Sequence, residues 1–258
     1  EDIVMVLDRD VRRVLGKRME ALGVTFLTGA PLMDIAVKNG TVSGTYKDQT
    51  VTGDLLLVAV GRRPNTAALD LARAGVKIDE RGTIPVDAQG RTNVASIFAV
   101  GDLVTGSIQL AHAATQQGEA AVEAAAGLKS HVEKLCPSCI FTSPEIGLAG
   151  LTEAKAQQLG LTVKTATFPF SALGKAMAAG ETDGFVKWIC DAASGQVLGA
   201  QAVGAHATEL IAEAALAIRN ELTVDEVGRT IHSHPTMSEA WMEAAHAFHN
   251  ACIHLPKR

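Results

Sequence analysis

The chain has 258 residues, of which 47% are hydrophobic and 20% charged, so it can bury a substantial core. Its net charge of -5 at pH 7 argues against a nucleic acid or an anionic membrane as partner, because both require a basic face. No apolar run is long enough to cross a bilayer without charged residues. Four scattered cysteines are too few for a secreted disulfide framework, so we expect a cytoplasmic protein. A charged start without methionine predicts that the chain begins partway through a longer protein.

The first block, residues 1–67, predicts one helix followed by short strands. Residues 8–23 have helical periodicity with one apolar face, and Gly23 is typical of a left-handed helix cap. The segment VTFLTGA, residues 24–30, indicates a strand. The run LLLVAVG, residues 55–61, is continuously apolar, which is typical of a strand buried in a parallel sheet.

The second block, residues 68–130, predicts a small helix at 68–75, a buried strand at 96–102 and a long alanine-rich helix at 110–128. A strand, a glycine turn and a helix in this order bring a helix N-terminus to the carboxyl edge of a sheet.

The third block, residues 131–258, separates strands from helices. TFPF, GFVKWICD and VLGAQAV predict strands, and the last two form a hairpin through the turn AASG. Three helices follow, and Thr223 with Glu226 has the spacing of a capping box. This arrangement predicts an α+β domain, and we expect it to fold without the residues upstream of it.

Two glycine-containing strand ends are candidate ligand sites. Asp102 follows a glycine at the end of the strand at 96–102, where its carboxylate can accept hydrogen bonds from ligand hydroxyls. Gly61 precedes two arginines and a proline, and its backbone can lie close to a cofactor. Each feature taken alone is more often an ordinary turn.

The stretch IHSHPTMSEA, residues 231–240, places a titratable imidazole at a bend. Pro235 disfavours helix at His234, while Thr236 can cap the helix that carries Glu239. A carboxylate that faces an imidazole fixes its tautomer, which is how a general base is oriented. The alternative is that Glu239 only completes a capping box with Thr236.

Taken in order, the segments VAVGRRPNT, IFAVGD with QLAHAATQQGEAA, FTSPEIGLAGLTEAKA, TDGFVKWICD and HSHPTMSEA resemble the pyridine nucleotide-disulfide oxidoreductases. Within that family the ending is most similar to the dihydrolipoamide dehydrogenases. The resemblance implies the α/β remainder of two Rossmann-like nucleotide-binding domains, then an α+β interface domain. Residues 1–67 would be the C-terminal part of the NAD-binding domain, residues 68–130 that of the FAD-binding domain, and residues 131–258 the dimerisation domain.

The same resemblance implies the roles of individual residues. Asp102 would bind flavin hydroxyls, Gly61 would lie beside the nicotinamide nucleotide, and a helix N-terminus at Gln109, Leu110, Ala111 and His112 would face the isoalloxazine. His234 would be the acid–base residue and Glu239 its orienting partner, and both would act on the other subunit of a homodimer. The complete protein would use FAD and NAD to oxidise a dithiol, the lipoyl group. We also predict a cis bond between His234 and Pro235.

The sequence departs from this family in what it lacks. Neither G-x-G-x-x-G nor C-x-x-x-x-C occurs, so the chain corresponds to the C-terminal half and is expected to be inactive alone. One alternative is a non-catalytic dimerisation module. Mercuric and glutathione reductases are alternatives within the family, less favoured by the C-terminal residues.

Two further motifs are open to more than one interpretation. CPSC, residues 136–139, is either a redox-active pair or part of an ordinary strand start, and the second is more common. His246 and His249 have the i, i+3 spacing of helical metal ligands, but such histidines more often lie on a polar face.

Overall fold

The computed structural model describes residues 2–255 and divides the chain into two compact units. Residues 2–56 and 137–255 form one unit, here called the sheet unit. Residues 57–136 form the other, here called the loop unit. The predicted division into three domains remains a prediction.

The sheet unit is built on a five-stranded antiparallel sheet. In chain order its strands are β4 (Ser138–Ile140), β5 (Ile146–Gly150), β6 (Val163–Pro169), β7 (Gly184–Asp191) and β8 (Val197–Gly204). Their order across the sheet is β4-β5-β8-β7-β6. The predicted hairpin of GFVKWICD and VLGAQAV is confirmed as β7 and β8. A second, smaller antiparallel sheet holds β1 (Leu32–Lys38), β2 (Thr41–Tyr46) and β3 (Gln49–Gly53).

Seven α-helices accompany these strands in the described residues. They are α1 (Arg9–Ala21), α2 (Ala111–Ala125), α3 (Glu153–Gln158), α4 (Gly174–Ala179), α5 (Ala207–Arg219), α6 (Val224–Arg229) and α7 (Glu239–Phe248); only α2 belongs to the loop unit. The capping box of Thr223 and Glu226 is confirmed at the start of α6. No helix of residues 2–255 combines the length and the apolar character that a bilayer span needs.

Helices α5 and α7 cover the five-stranded sheet and are fixed to it by two tryptophans. The rings of Trp188 on β7 and Trp241 on α7 lie 4.3 Å apart between centroids, and both are fully buried. The Trp241 indole N–H donates to the carbonyl of Leu210 on α5 at 3.0 Å, and the Trp188 indole donates to the Trp241 carbonyl at 3.0 Å. Both helices therefore share one rigid core with the sheet.

Residues from the chain start contribute to the core of the third block, and its folding without them stays a prediction. Leu7, Val11 and Leu15 are buried in one cluster with Ile146 and Val203. Helix α1 thus packs against the sheet. The reason is the sheet's apolar composition, which requires cover on both faces.

A buried lysine joins the same two parts of the chain. The Lys187 side chain is 1% exposed, and its ammonium lies 2.8 Å from Asp8, 2.8 Å from Asp10 and 2.7 Å from Glu153. Burial lowers the pKa of Lys187, but hydrogen bonds to Asp10, Asp8 and Glu153 outweigh it and raise the pKa above its usual value. The three carboxylates could hold a metal ion, but the ammonium already satisfies them.

The loop unit has little regular structure besides α2, and several sequence predictions fail in and beside it. Residues 55–61 form neither helix nor strand, and Val60 is 93% exposed. Residues 96–102 form no strand: Phe98 makes an isolated bridge with Arg91, and Gly101 and Asp102 lie in the 3-10 turn Gly101–Leu103. These predicted strands are wrong because a buried parallel strand requires neighbours on both sides, and the described residues provide none there. The small helix at 68–75 is replaced by a 3-10 turn, Ala67–Leu69, and residues 24–30 lie outside any strand.

Candidate active site

His234 lies in the connection between α6 and α7, and its side chain is 71% exposed. The bond between His234 and Pro235 is cis, as the sequence predicts. The connection thus presents an imidazole at the surface of the sheet unit.

Glu239, the first residue of α7, makes a hydrogen bond with this imidazole. His234 Nδ1 lies 2.9 Å from Glu239 Oε1, and the Glu239 side chain is only 10% exposed. The other carboxylate oxygen, Oε2, accepts the backbone N–H of Thr236 at 2.8 Å. One carboxylate oxygen therefore orients the imidazole, and the other makes one of the two hydrogen bonds of the capping box that was the alternative interpretation.

The predicted capping role of Thr236 is wrong. The residue before α7 is Ser238, whose side chain makes no capping hydrogen bond. The Thr236 hydroxyl instead donates to the carbonyl of Ser233 at 2.6 Å. It therefore fastens the bend that carries His234, because Ser233 lies immediately before it.

The electrostatics of the pair favour an ionised carboxylate. Burial raises the pKa of Glu239, but the hydrogen bonds from Thr236 and His234 outweigh it and lower the pKa below its usual value. An ionised carboxylate accepts hydrogen bonds only, so His234 Nδ1 carries the proton and Nε2 is left as the basic nitrogen. The arrangement can accept a proton at Nε2 and stabilise the resulting imidazolium.

The predicted flavin residues lie together in the loop unit. Asp102 lies in the 3-10 turn Gly101–Leu103 and its side chain is 44% exposed. Leu110 precedes α2, which begins at Ala111 and continues through His112. Because a leucine side chain cannot accept a hydrogen bond, it gives no cap to the N–H groups of the first turn. An exposed carboxylate and an uncapped helix start fit a flavin's hydroxyls and its electron-rich ring.

Arg62 is a part of this region that the sequence interpretation did not assign. Its guanidinium lies 3.1 Å from Asp102 Oδ2 and donates to the Gln109 carbonyl at 2.8 Å. It therefore connects the predicted nicotinamide loop to both predicted flavin contacts. The two adjacent arginines after Gly61 were the available signal.

Gly61 has the backbone freedom that its predicted role needs. Its φ is +127°, in a region that residues with a side chain rarely adopt, and nothing lies within 4 Å of where a Cβ would stand. A nucleotide can therefore approach this backbone closely.

The structure gives no support for reactive thiols in CPSC. All four cysteines of the chain are thiols, and burial raises the pKa of both Cys136 and Cys139 above the usual value. A protonated thiol is a poor nucleophile, so neither cysteine has the character of an attacking group.

Two histidines of the C-terminal segment, His249 and His254, bond to carboxylates. His249 Nε2 lies 2.7 Å from Asp225, and His254 Nδ1 lies 2.6 Å from the fully buried Glu243. Among residues 2–255, the one cluster of potential metal ligands is that around Lys187. The proposed metal pair of His246 and His249 thus remains without structural support.

Comparisons with known proteins agree with this fold and geometry. The dimerisation domain of the pyridine nucleotide-disulphide oxidoreductases matches residues 136–245, and the pyridine nucleotide-disulphide oxidoreductase domain matches residues 1–118. The chain belongs to the pyridine nucleotide-disulphide oxidoreductases. The predicted fold class is confirmed: remnants of nucleotide-binding domains precede an α+β dimerisation domain.

Within this family the chain is similar to dihydrolipoyl dehydrogenases. It is 42% identical to that of Chlamydia muridarum, over 99% of this chain and 55% of the relative. It is 38% identical to that of Bacillus subtilis, over 100% of this chain and 56% of the relative. The chain thus spans little more than half the length of these relatives.

Solved structures show the same likeness. LpdA from Mycobacterium tuberculosis superposes with a TM-score of 0.86 at 31% identity, covering 92% of this chain and 52% of that one. The HOCl-induced flavoprotein disulfide reductase RclA from Escherichia coli superposes with a TM-score of 0.88 at 26% identity, covering 94% of this chain and 56% of that one.

Proposed function

We propose that the chain is the C-terminal part of a flavoprotein like dihydrolipoyl dehydrogenase, which oxidises a dithiol with NAD through FAD and a redox disulfide. The observation that carries this proposal is the pair of His234 and Glu239, with 2.9 Å between Nδ1 and Oε1 and an imidazole that is 71% exposed. An oriented imidazole at the surface is suited to act on groups that another subunit supplies.

In this proposal His234 removes a proton from the dithiol substrate at Nε2, which leaves a thiolate as the attacking group. Glu239 holds the ring and stabilises its positive charge after the proton transfer. Asp102 and the start of α2, from Gln109 to His112, would hold FAD, and Gly61 would lie against NAD. When bound, the flavin supplies electron transfer between the dithiol and the nicotinamide.

A homodimer is part of the same proposal. The matched dimerisation domain supports it, and so does Ile231, an apolar residue 96% exposed three positions before His234. An apolar side chain beside an open catalytic group is suited to cover by a second copy. The partners we propose are thus a second subunit and a lipoyl dithiol. The cytoplasmic location stays a prediction, supported by the four thiols.

The test joins this chain to the upstream half of the Chlamydia muridarum relative and measures NAD reduction by dihydrolipoamide. The variants His234→Gln and Glu239→Gln are compared with His249→Gln, which alters an exposed histidine paired with Asp225. We expect His234→Gln to lower kcat by roughly 100-fold or more, with a smaller loss for Glu239→Gln and none for the control. Flavin reduction by NADH should be unchanged in all three. Full dihydrolipoamide turnover in His234→Gln would contradict the proposal.

The second candidate, a non-catalytic dimerisation module, is favoured by the exposure of residues 55–60 in the chain as it stands, including Leu55 at 88%. It predicts a colourless dimer, whereas flavin binding by residues 57–136 predicts stoichiometric absorbance near the flavin bands. An absorbance spectrum of the purified chain, with light scattering for its mass, separates these two outcomes.

A further inference from the structure

His232 lies two residues before His234, but its side chain is in the opposite environment. The His232 side chain is 5% exposed, whereas that of His234 is 71% exposed. The chain thus turns one imidazole inward and presents the next one outward. The sequence alone gave no role to the inward one.

Both ring nitrogens of His232 are engaged. Nε2 lies 2.7 Å from Glu213 Oε1 on α5, and Nδ1 lies 2.9 Å from the carbonyl oxygen of Thr230. Each ring nitrogen thus faces a hydrogen-bond acceptor, an arrangement that favours the doubly protonated imidazolium. The hydrogen bond to Glu213 raises the pKa of His232 above its usual value, against the opposing effect of burial.

The two carboxylates that hold the two histidines belong to one rigid frame. Glu213 lies on α5 and Glu239 on α7, and the Trp241 indole joins these helices through the Leu210 carbonyl at 3.0 Å. The connection from Thr230 to Pro235 lies over α5, since Pro235 and Glu213 line the same shallow cavity. His232 therefore contacts α5 and His234 contacts α7, and these two helices are joined in one rigid core.

We propose that His232 is a positioning residue: with Glu213 it fixes the connection on α5, so that the His234 ring meets Glu239 through Nδ1 and leaves Nε2 open. The catalytic meaning of this inference rests on the proposed function, but the geometry it asserts does not. Without the Glu213 contact the connection loses its hydrogen bond to α5. The contacts that remain, of His232 with Thr230 and of Thr236 with Ser233 and Glu239, do not reach α5.

The test reads the tautomer of His234 from ring nitrogen chemical shifts of the 15N-histidine-labelled chain, with His234→Gln used for assignment. The wild-type chain should show neutral His234 protonated at Nδ1. Glu213→Leu, which removes the acceptor and keeps a side chain of similar length, should shift His234 to a mixture of tautomers. Glu213→Gln, which retains an acceptor oxygen, should restore the wild-type signal.

The control is His249→Gln, which removes a pair of the same kind, 2.7 Å from Asp225, that does not contact the connection. It should leave the His234 signal unchanged. His232→Gln should act like Glu213→Leu. If His232→Gln fails to fold, the result for Glu213→Leu alone tests the inference. Glu213 is 37% exposed, and its replacement leaves the His232 imidazole buried.

A wild-type His234 signal in folded Glu213→Leu would overturn the inference. The readout requires no enzymatic activity, so it separates the two proposals: a tautomer response without dihydrolipoamide turnover in the joined enzyme retains the positioning role and rejects the function. In an active joined enzyme we expect Glu213→Leu to lower kcat for the dithiol roughly 10- to 100-fold with an unchanged KM for NAD. An equal fall of thermal stability and activity, restored by cooling, would instead indicate a purely structural role.

Discussion

At the scale of single residues, the molecule places its charged groups where a partner satisfies them. Lys187 and Asp8 are both buried, with side-chain exposures of 1% and 5%, and lie 2.8 Å apart. Gln201 also donates to the Asp8 carboxylate at 2.7 Å. Such a pair contributes little net stability as a whole, but the loss of one member leaves the other charge buried without compensation.

We therefore expect Lys187→Met to lower the free energy of unfolding by about 3 kcal/mol or more, because the Asp8 carboxylate then remains buried. Urea unfolding followed by circular dichroism measures the change. Lys155→Met, at an exposed position of α3, is the matched control and should have an effect near zero. A loss equal to that of the control would show that the charges are solvated in solution.

The contact between His232 and Glu213 predicts a specific pH dependence of stability. Its pKa in the folded chain is raised by Glu213, so its contribution to stability is complete below the unfolded value of about 6.5. That contribution is lost as the pH rises through the higher folded value. The wild-type chain should thus lose more stability than Glu213→Gln in urea titrations as the pH is raised from below the unfolded pKa of about 6.5 to above it. Parallel curves for the two proteins would contradict this assignment, and His249→Gln should follow the wild type.

At the scale of elements, the short helix α6 orients the connection that begins at Thr230. Thr223 accepts the Glu226 N–H at 3.4 Å, and the Glu226 carboxylate accepts the Thr223 N–H at 2.7 Å. A helix of six residues has little intrinsic stability, so this capping box and the burial of Val224 and Val227 hold it in place.

Thr223→Ala should therefore lower the free energy of unfolding by about 1 kcal/mol, since it removes one half of the box. Thr223→Ser retains the hydroxyl and should stay within a few tenths of a kcal/mol of the wild type. Thermal unfolding of both variants measures the difference. Equal destabilisation by alanine and serine would mean that the threonine methyl group, and not the cap, is important.

At the scale of the whole molecule, the chain has an exposed apolar segment at residues 55–60. Leu57 is 85% exposed and Val60 is 93% exposed, and neither lies in a strand. An unpaired apolar stretch with high strand propensity is prone to edge-to-edge association.

We expect the double substitution Leu57→Lys with Val60→Lys to reduce higher-order association of the purified chain, while helix content stays the same. Light scattering over a concentration series measures this. Val122→Lys, at an apolar position 70% exposed on α2, is the control and should change association little. Unchanged association in the double variant would place the contact surface elsewhere.

Whether a secondary-structure element could be predicted from the sequence depends on whether the residues it pairs or packs with are present in the chain. The hairpin of β7 and β8, the capping box of α6 and the long helices were predictable, because their signals are local and their partners are close in sequence. LLLVAVG has an equally strong local pattern, but its partners are absent from the described residues, so the pattern alone gave the wrong structure.

By itself, the sequence determined the family, the α+β character of the third block, residues 131–258, and the two residues His234 and Glu239 that would carry acid–base chemistry. Only the tertiary structure decided that Lys187 joins the start of the chain to the sheet, and that His232 points inward and contacts Glu213. The reason is that Asp8 and Gln201 are 193 residues apart, and Glu213 and His232 are 19 apart, so no local pattern reports their contact. Burial and hydrogen bonding between such residues are fixed when the helices pack on the sheet.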